Sequence, residues 1–138
     1  MKRSPADIAF SLCVRERSDW ICERCQRDFK HNRGSLHCSH VYTRGIRITR
    51  WSGMNAFAHC VGCHDYLGKN PLEFDRHFLE VRGEGQKELL MEKVRETKLK
   101  IPKTEEKLIA KHYREQLEEM DQKRKDGVTG WIEFVDYF

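Results

Sequence analysis

Asn55-Ala56-Phe57-Ala58-His59-Cys60-Val61-Gly62-Cys63-His64 is the stretch whose reading decides the fold. Ala56–Val61 has the apolar and aromatic content of a short strand. It runs into a Cys-x-x-Cys knuckle, Cys60/Cys63, with His64 directly behind. A matching knuckle, Cys22-Glu23-Arg24-Cys25, lies well upstream. Each pair can offer two thiolates to one tetrahedral Zn²⁺, so the four cysteines are expected to share a structural zinc. The ion would clamp distant parts of the chain around the segment that holds His31, His37, His40, Asn55 and His59.

Composition bounds the rest. At 138 residues, one domain is the default. Apolar residues make up 38% and charged residues 35%, so the core must be modest and a zinc clamp matters to stability. No apolar run approaches the ~20 residues that span a membrane. Met1-Lys2-Arg3-Ser4-Pro5 carries no hydrophobic signal region. A cytoplasmic protein is expected, where six cysteines favour metal over disulfides. The net charge of +4 is unevenly spread: residues 1–70 carry +6 and residues 71–138 carry −2. Between Asp28 and Asp65 there is no acidic residue, while Lys30, Arg33, Arg44, Arg47 and Arg50 lie there. Such a field suits a polyanion such as DNA. A zinc clamp around a histidine- and arginine-rich loop suits a nuclease better than a passive finger.

Ser4-Pro5-Ala6-Asp7 reads as a helix cap, and a helix is expected through Ile8, Leu12 and Arg15. Leu36–Tyr42 reads as a strand with Leu36, Cys38, His40 and Tyr42 on one face and His37, Ser39 and Val41 on the other. Thr43–Met54 reads as a loop. A short helix from Cys63 is expected to stop at Gly68, and another from Asn70-Pro71 to stop at Gly83. Helices are also expected over 86–99 and 103–125, the latter with a stripe of Ile109, Tyr113, Leu117 and Met120. Trp131, Phe134, Val135 and Phe138 fall on one face of a final helix. The expected class is α+β: a zinc-clamped core with its N-terminal helix (1–82) and a mostly helical C-terminal extension (83–138). The extension would pack on the core or form a homodimer contact.

The order Cys-x-x-Cys, His40, Asn55, Cys60-x-x-Cys63-His64 resembles the HNH family of nucleases, of the ββα-metal (His-Me finger) fold. The run His37-Cys38-Ser39-His40 with Asn55 is most similar to the phage NinG-type recombination nucleases. The resemblance covers residues 20–75 and implies a metal-dependent DNA endonuclease leaving 5′-phosphate and 3′-hydroxyl ends. It implies that His40 is the general base, that Asn55 fixes the loop and helps orient His40, and that His64 binds a catalytic divalent ion. Many family members place an aspartate ligand just before the catalytic histidine. Here that position is Ser39, so His37 is assigned as the second ligand. A carboxylate-free pair of imidazoles favours Mn²⁺, Ni²⁺, Co²⁺ or Zn²⁺ over the harder Mg²⁺. Arg44 is assigned to the scissile phosphate, and Arg47 and Arg50 to the DNA backbone. The competing expectation is a non-catalytic zinc module that binds nucleic acid in a phage recombination or packaging system. It needs the cysteines and the basic loop, but no general base.

Overall fold

A reciprocal cap starts the first helix. Ser4 Oγ accepts from Asp7 N at 3.2 Å and the Asp7 carboxylate accepts from Ser4 N at 2.8 Å, with Pro5 at the first helical position. Capping of this kind is worth ~1 kcal/mol. In the computed structural model, which describes residues 2–96 and 100–138, helix α1 spans Pro5–Arg17. It is followed by β1 (Leu36–His40), α2 (Arg47–Arg50), β2 (Ala56–Cys60) and α3 (Val61–Lys69). Then come α4 (Pro71–Arg82), α5 (Glu84–Arg95) and α6 (Glu105–Lys125). The class is α+β, with six helices and one two-stranded antiparallel sheet among the described residues.

The sheet pairs Leu36 with Cys60 at one end and His40 with Ala56 at the other. All five residues of β2 are buried, which accounts for an apolar run without clean alternation. Ala56 joins the core formed by α1 and α6, where Phe10 and Val14 meet Ile109, Tyr113 and Met120. Ala58 and Cys60 join Trp20, Cys22, Leu36 and Cys63 in a second cluster. Phe57 turns to the other face, against Phe78 of α4 and Leu90 of α5. The chain beyond residue 83 therefore supplies much of the main core, laid directly on α1.

Several local expectations are corrected. The loop after β1 carries the single turn α2 and a 3₁₀ turn at Gly53–Asn55. Helix α3 passes through Gly68, whose surroundings leave a Cβ open space, and ends at Lys69, with Asn70 as its cap before the proline of α4. Gly83 does stop α4, with φ +86°. The end of the expected 86–99 helix lies outside the described residues. The segment after α6 is not helical: Ile132 and Phe134 are buried while Trp131 and Val135 are exposed, a two-residue alternation. Its backbone bonds to other elements, Ile132 N to Arg17 O at 3.0 Å and Val135 N to Gln116 Oε1 at 2.9 Å. It also reaches Gly53, whose N–H donates to Asp136 at 2.9 Å. A Cβ on Gly53 would lie 3.0 Å from that carboxylate oxygen and 3.2 Å from an Arg17 nitrogen, so a larger residue there would press on the Asp136 and Arg17 side chains. No helix among the described residues is long and apolar enough to cross a membrane.

Candidate functional site

The first knuckle is locked onto β2 before any metal is considered. Glu23 N donates to Ala58 O at 2.8 Å, and Ala58 N donates back to the Glu23 carboxylate at 2.7 Å. Arg82 holds the other oxygen of Glu23 at 3.4 Å. Cys22, Cys25, Cys60 and Cys63 consequently converge, with all four sulfurs within 4.8 Å of one another. Cys25 and Cys60 Sγ lie 3.8 Å apart, and all four residues are free thiols. Four sulfurs at ~2.3 Å from a tetrahedral zinc stand about 3.8 Å from each other, so the donors fit such an ion. A four-thiolate centre carries a formal charge of about −2. Arg24 Nη1 sits 3.5 Å from Cys63 Sγ and Cys60 N sits 3.3 Å from Cys22 Sγ, donors that offset it. These four cysteines could hold a structural zinc.

The predicted histidines gather at the strand that this clamp fixes. His37 points toward α3, where its Nδ1 lies 3.2 Å from His64 Nδ1 with the rings nearly perpendicular. His40, on the other face, packs toward Phe10 of α1 at 6.0 Å between ring centres. Its Nε2 lies 3.0 Å from the carbonyl of Arg50. A carbonyl only accepts, so Nε2 carries a proton and, in the neutral ring, Nδ1 keeps a lone pair. Burial lowers the proton affinity of His40, with the Arg50 carbonyl opposing and the Arg44 guanidinium adding to the depression. His64 is lowered likewise, by burial first and then by His37. All three rings line one open cleft of about 550 Å³, together with Asp7, Arg15 and Arg44. Ser39 is fully buried with its hydroxyl unpaired and is not part of that lining.

Asn55 uses its whole amide. Its Oδ1 accepts from Tyr42 N at 2.8 Å, and its Nδ2 donates to Tyr42 O at 3.1 Å and Thr49 O at 3.0 Å. The bonds tie both ends of the arginine loop together, and an aspartate could not make the donated pair. Asn55 touches the His40 region through the backbone rather than the ring: Val41 N donates to Asn55 O at 2.9 Å.

The loop arginines divide. Arg44 lines the cleft, with Nη1 3.5 Å from Asp7. Arg47 instead reaches Ile101 O at 3.2 Å and Glu106 at 3.6 Å, and does not line the cleft. Arg50 is a correction to the expected DNA surface. It is 6% exposed and grips Asp7 with two bonds, of 2.9 and 2.5 Å, so its charge is spent inside the protein. Its value to the site is its carbonyl, which fixes His40. Of the other histidines, His31 is exposed, and His59 and His77 form a buried pair at 2.9 Å beside Phe57.

Asp7 is the functional residue that sequence reading treats only as a cap. It also accepts from Trp51 Nε1 at 3.1 Å. Burial alone would raise its pKa, but the Arg50 guanidinium and the Ser4 N–H overcome this and hold it at about 2. A depressed carboxylate stabilises the fold above its unfolded value near ~3.9 and loses that contribution as pH falls toward about 2. The expected size is on the order of 2 kcal/mol. Urea melts of wild type and Asp7→Asn between about pH 7 and 2.5 should therefore converge as the pH drops. Loss of any metal held by the four cysteines would affect both proteins alike, so the difference isolates Asp7. A gap that stays constant with pH would contradict the charged pairing.

Comparison with family models, curated proteins and solved structures finds no match for this chain.

Proposed function

We propose that the chain is a metal-dependent DNA endonuclease of the HNH type. The observation that carries this is the shared cleft. A histidine whose Nε2 is committed to a backbone carbonyl opens onto the same space as two facing imidazoles. The order β1, β2, α3, with His40 ending the first strand and His64 in the first turn of the helix, supports the same reading.

His40 acts through Nδ1, taking the proton of the water that attacks the scissile phosphorus. Its depressed proton affinity keeps the ring neutral, hence able to accept, at neutral pH. Asn55 holds the arginine loop closed over this strand. Arg44 lies beside Asp7 at the cleft wall, where a guanidinium can bind a non-bridging phosphate oxygen. Held by His37 and His64, a divalent ion would supply electrostatic stabilisation to the phosphate and the leaving 3′ oxygen. Thiolates reserved for structural zinc suit a reducing, cytoplasmic setting.

The test is incubation of zinc-reconstituted protein with supercoiled plasmid and Mn²⁺, Ni²⁺, Co²⁺ or Mg²⁺. Nicked or linear product is expected, faster with Mn²⁺ or Ni²⁺ than with Mg²⁺, because imidazole ligands favour the softer ions. Strong cleavage in Mg²⁺ with none in Mn²⁺ contradicts the His37–His64 ligand pair. DNA binding without cleavage in any metal would identify a zinc-containing nucleic-acid-binding module instead.

A further inference from the structure

Three arginines, two lining the cleft and the third beside Trp20, differ from those held in ion pairs. Arg17, Arg47, Arg50, Arg82 and Arg124 each pair with a carboxylate. Among the described residues, no such ion pair involves Arg3, Arg15 or Arg33. Arg15 and Arg33 flank Trp20, with their guanidinium carbons 5.0 and 4.4 Å from its ring. Each is braced by a backbone acceptor as well, Arg15 Nε on Ser11 O at 3.2 Å and Arg33 Nε on Lys30 O at 3.3 Å. Trp20 itself is 4% exposed, so its ring serves as a backing for the two cations and not as a platform for a base. Arg3 and Arg15 line the same cleft as His37, His40 and His64. The carboxylate lining that cleft, Asp7, is engaged by Arg50, Trp51 and Ser4.

Clustered cations without counter-charges repel one another. Burial lowers the proton affinity of Arg15, and Arg3 and Arg33 lower it further. An anion arriving at this wall relieves both costs, and planar guanidinium groups held by packing lose little entropy in binding it. We infer that Arg3, Arg15 and Arg33 form a second phosphate subsite, which grips the backbone of the polynucleotide strand away from the bond cut at His40. The inference rests on the nuclease reading of the cleft and assigns to the α1 side a part of the footprint that Arg50 cannot supply.

The test uses zinc-loaded His40→Ala protein, whose cleavage is slowed far below that of wild type, and a fluorescent oligonucleotide duplex titrated over a range of salt. Adding Arg15→Gln or Arg33→Gln should weaken binding several-fold and lower the slope of log K against log salt by about 1 each. Arg15→Lys should keep most of that slope, because the charge is retained. In protein with His40 intact, Arg15→Gln should raise KM while kcat is nearly unchanged, the mark of lost uniform binding. Unchanged affinity and slope, with normal zinc content, would reduce these arginines to packing around Trp20. If Arg15→Gln loses zinc, Arg3→Gln carries the same measurement, since Arg3 precedes the helix and is exposed. Parent protein that binds no DNA would overturn the nuclease reading together with the subsite. Parent protein that binds and cuts, with indifferent arginine variants, would overturn the subsite alone.

Discussion

Under the proposed nuclease mechanism, His40→Ala should cut DNA about 10²- to 10⁴-fold more slowly than wild type, the range expected when a positioned general base is removed. Zinc content and DNA affinity should be retained. The ring makes one hydrogen bond, to Arg50 O, and is only half-buried against Phe10. Losing it leaves a small gap and one carbonyl in need of water, on the order of 1–2 kcal/mol and well short of unfolding a domain. The clamp itself sits at the other end of the strand, around Leu36 and Cys60. The pH dependence gives a second signature. Burial sets the His40 pKa below the usual ~6.5, so the rate should climb with pH through an acidic midpoint and level off before neutrality. That limb should vanish from the residual activity of the variant. A variant that cuts at the wild-type rate would remove His40 from the role of base, whatever the rest of the cleft does.

How much of the fold and site was legible in the sequence depends on whether the signal was local. The Ser4–Asp7 cap, the Cys-x-x-Cys pairs and the two strands are short-range patterns, and they appear where local chemistry puts them. The stripe of Ile109, Tyr113 and Met120 identified the buried face of α6. Its partner, α1, could not be read, because helix pairing across a hundred residues leaves no local trace. The C-terminal segment misled for a related reason. Trp131, Phe134, Val135 and Phe138 fit a helical period, while Ile132 and Phe134 fit a strand-like one. Gly127 and Gly130, both at positive φ, and the bonds to Arg17 and Gln116 decide for the extended form. In the site, His37 and His64 were brought together as expected from the motif, but the fate of the arginines was not visible. A run of basic residues with no acid nearby looks uniformly like a nucleic-acid surface. Asp7, distant in sequence, removes Arg50 from that surface and leaves Arg44 at its edge.

Cys60→Ala should abolish stoichiometric zinc binding and cost far more stability than the loss of the His40 ring or of the Asp7 charge. The metal-binding energy of structural zinc sites, about 10–16 kcal/mol in isolated fingers, is folding energy and is comparable to the whole net stability of a domain. Cys60 is a particularly vulnerable point in this chain. It ends β2 opposite Leu36, precedes the first residue of α3, and donates its N–H to Cys22 Sγ. The cluster around it is small: Trp20, Leu36, Ala58 and the cysteines themselves, with Leu12 and Phe29 partly buried against them. The loss should not be uniform. The α1–α6 core has its own buried contacts through Phe10, Ile109 and Tyr113, so part of the helical signal should survive while the strands and α3 loosen. The Glu23–Ala58 bonds would persist only weakly, because the ordering they require is then unsupported. Zinc content by atomic emission, far-UV circular dichroism and the melting midpoint are the measurements. A Cys60→Ala protein that still binds one zinc tightly and melts like wild type would show that the clamp does not run through this residue.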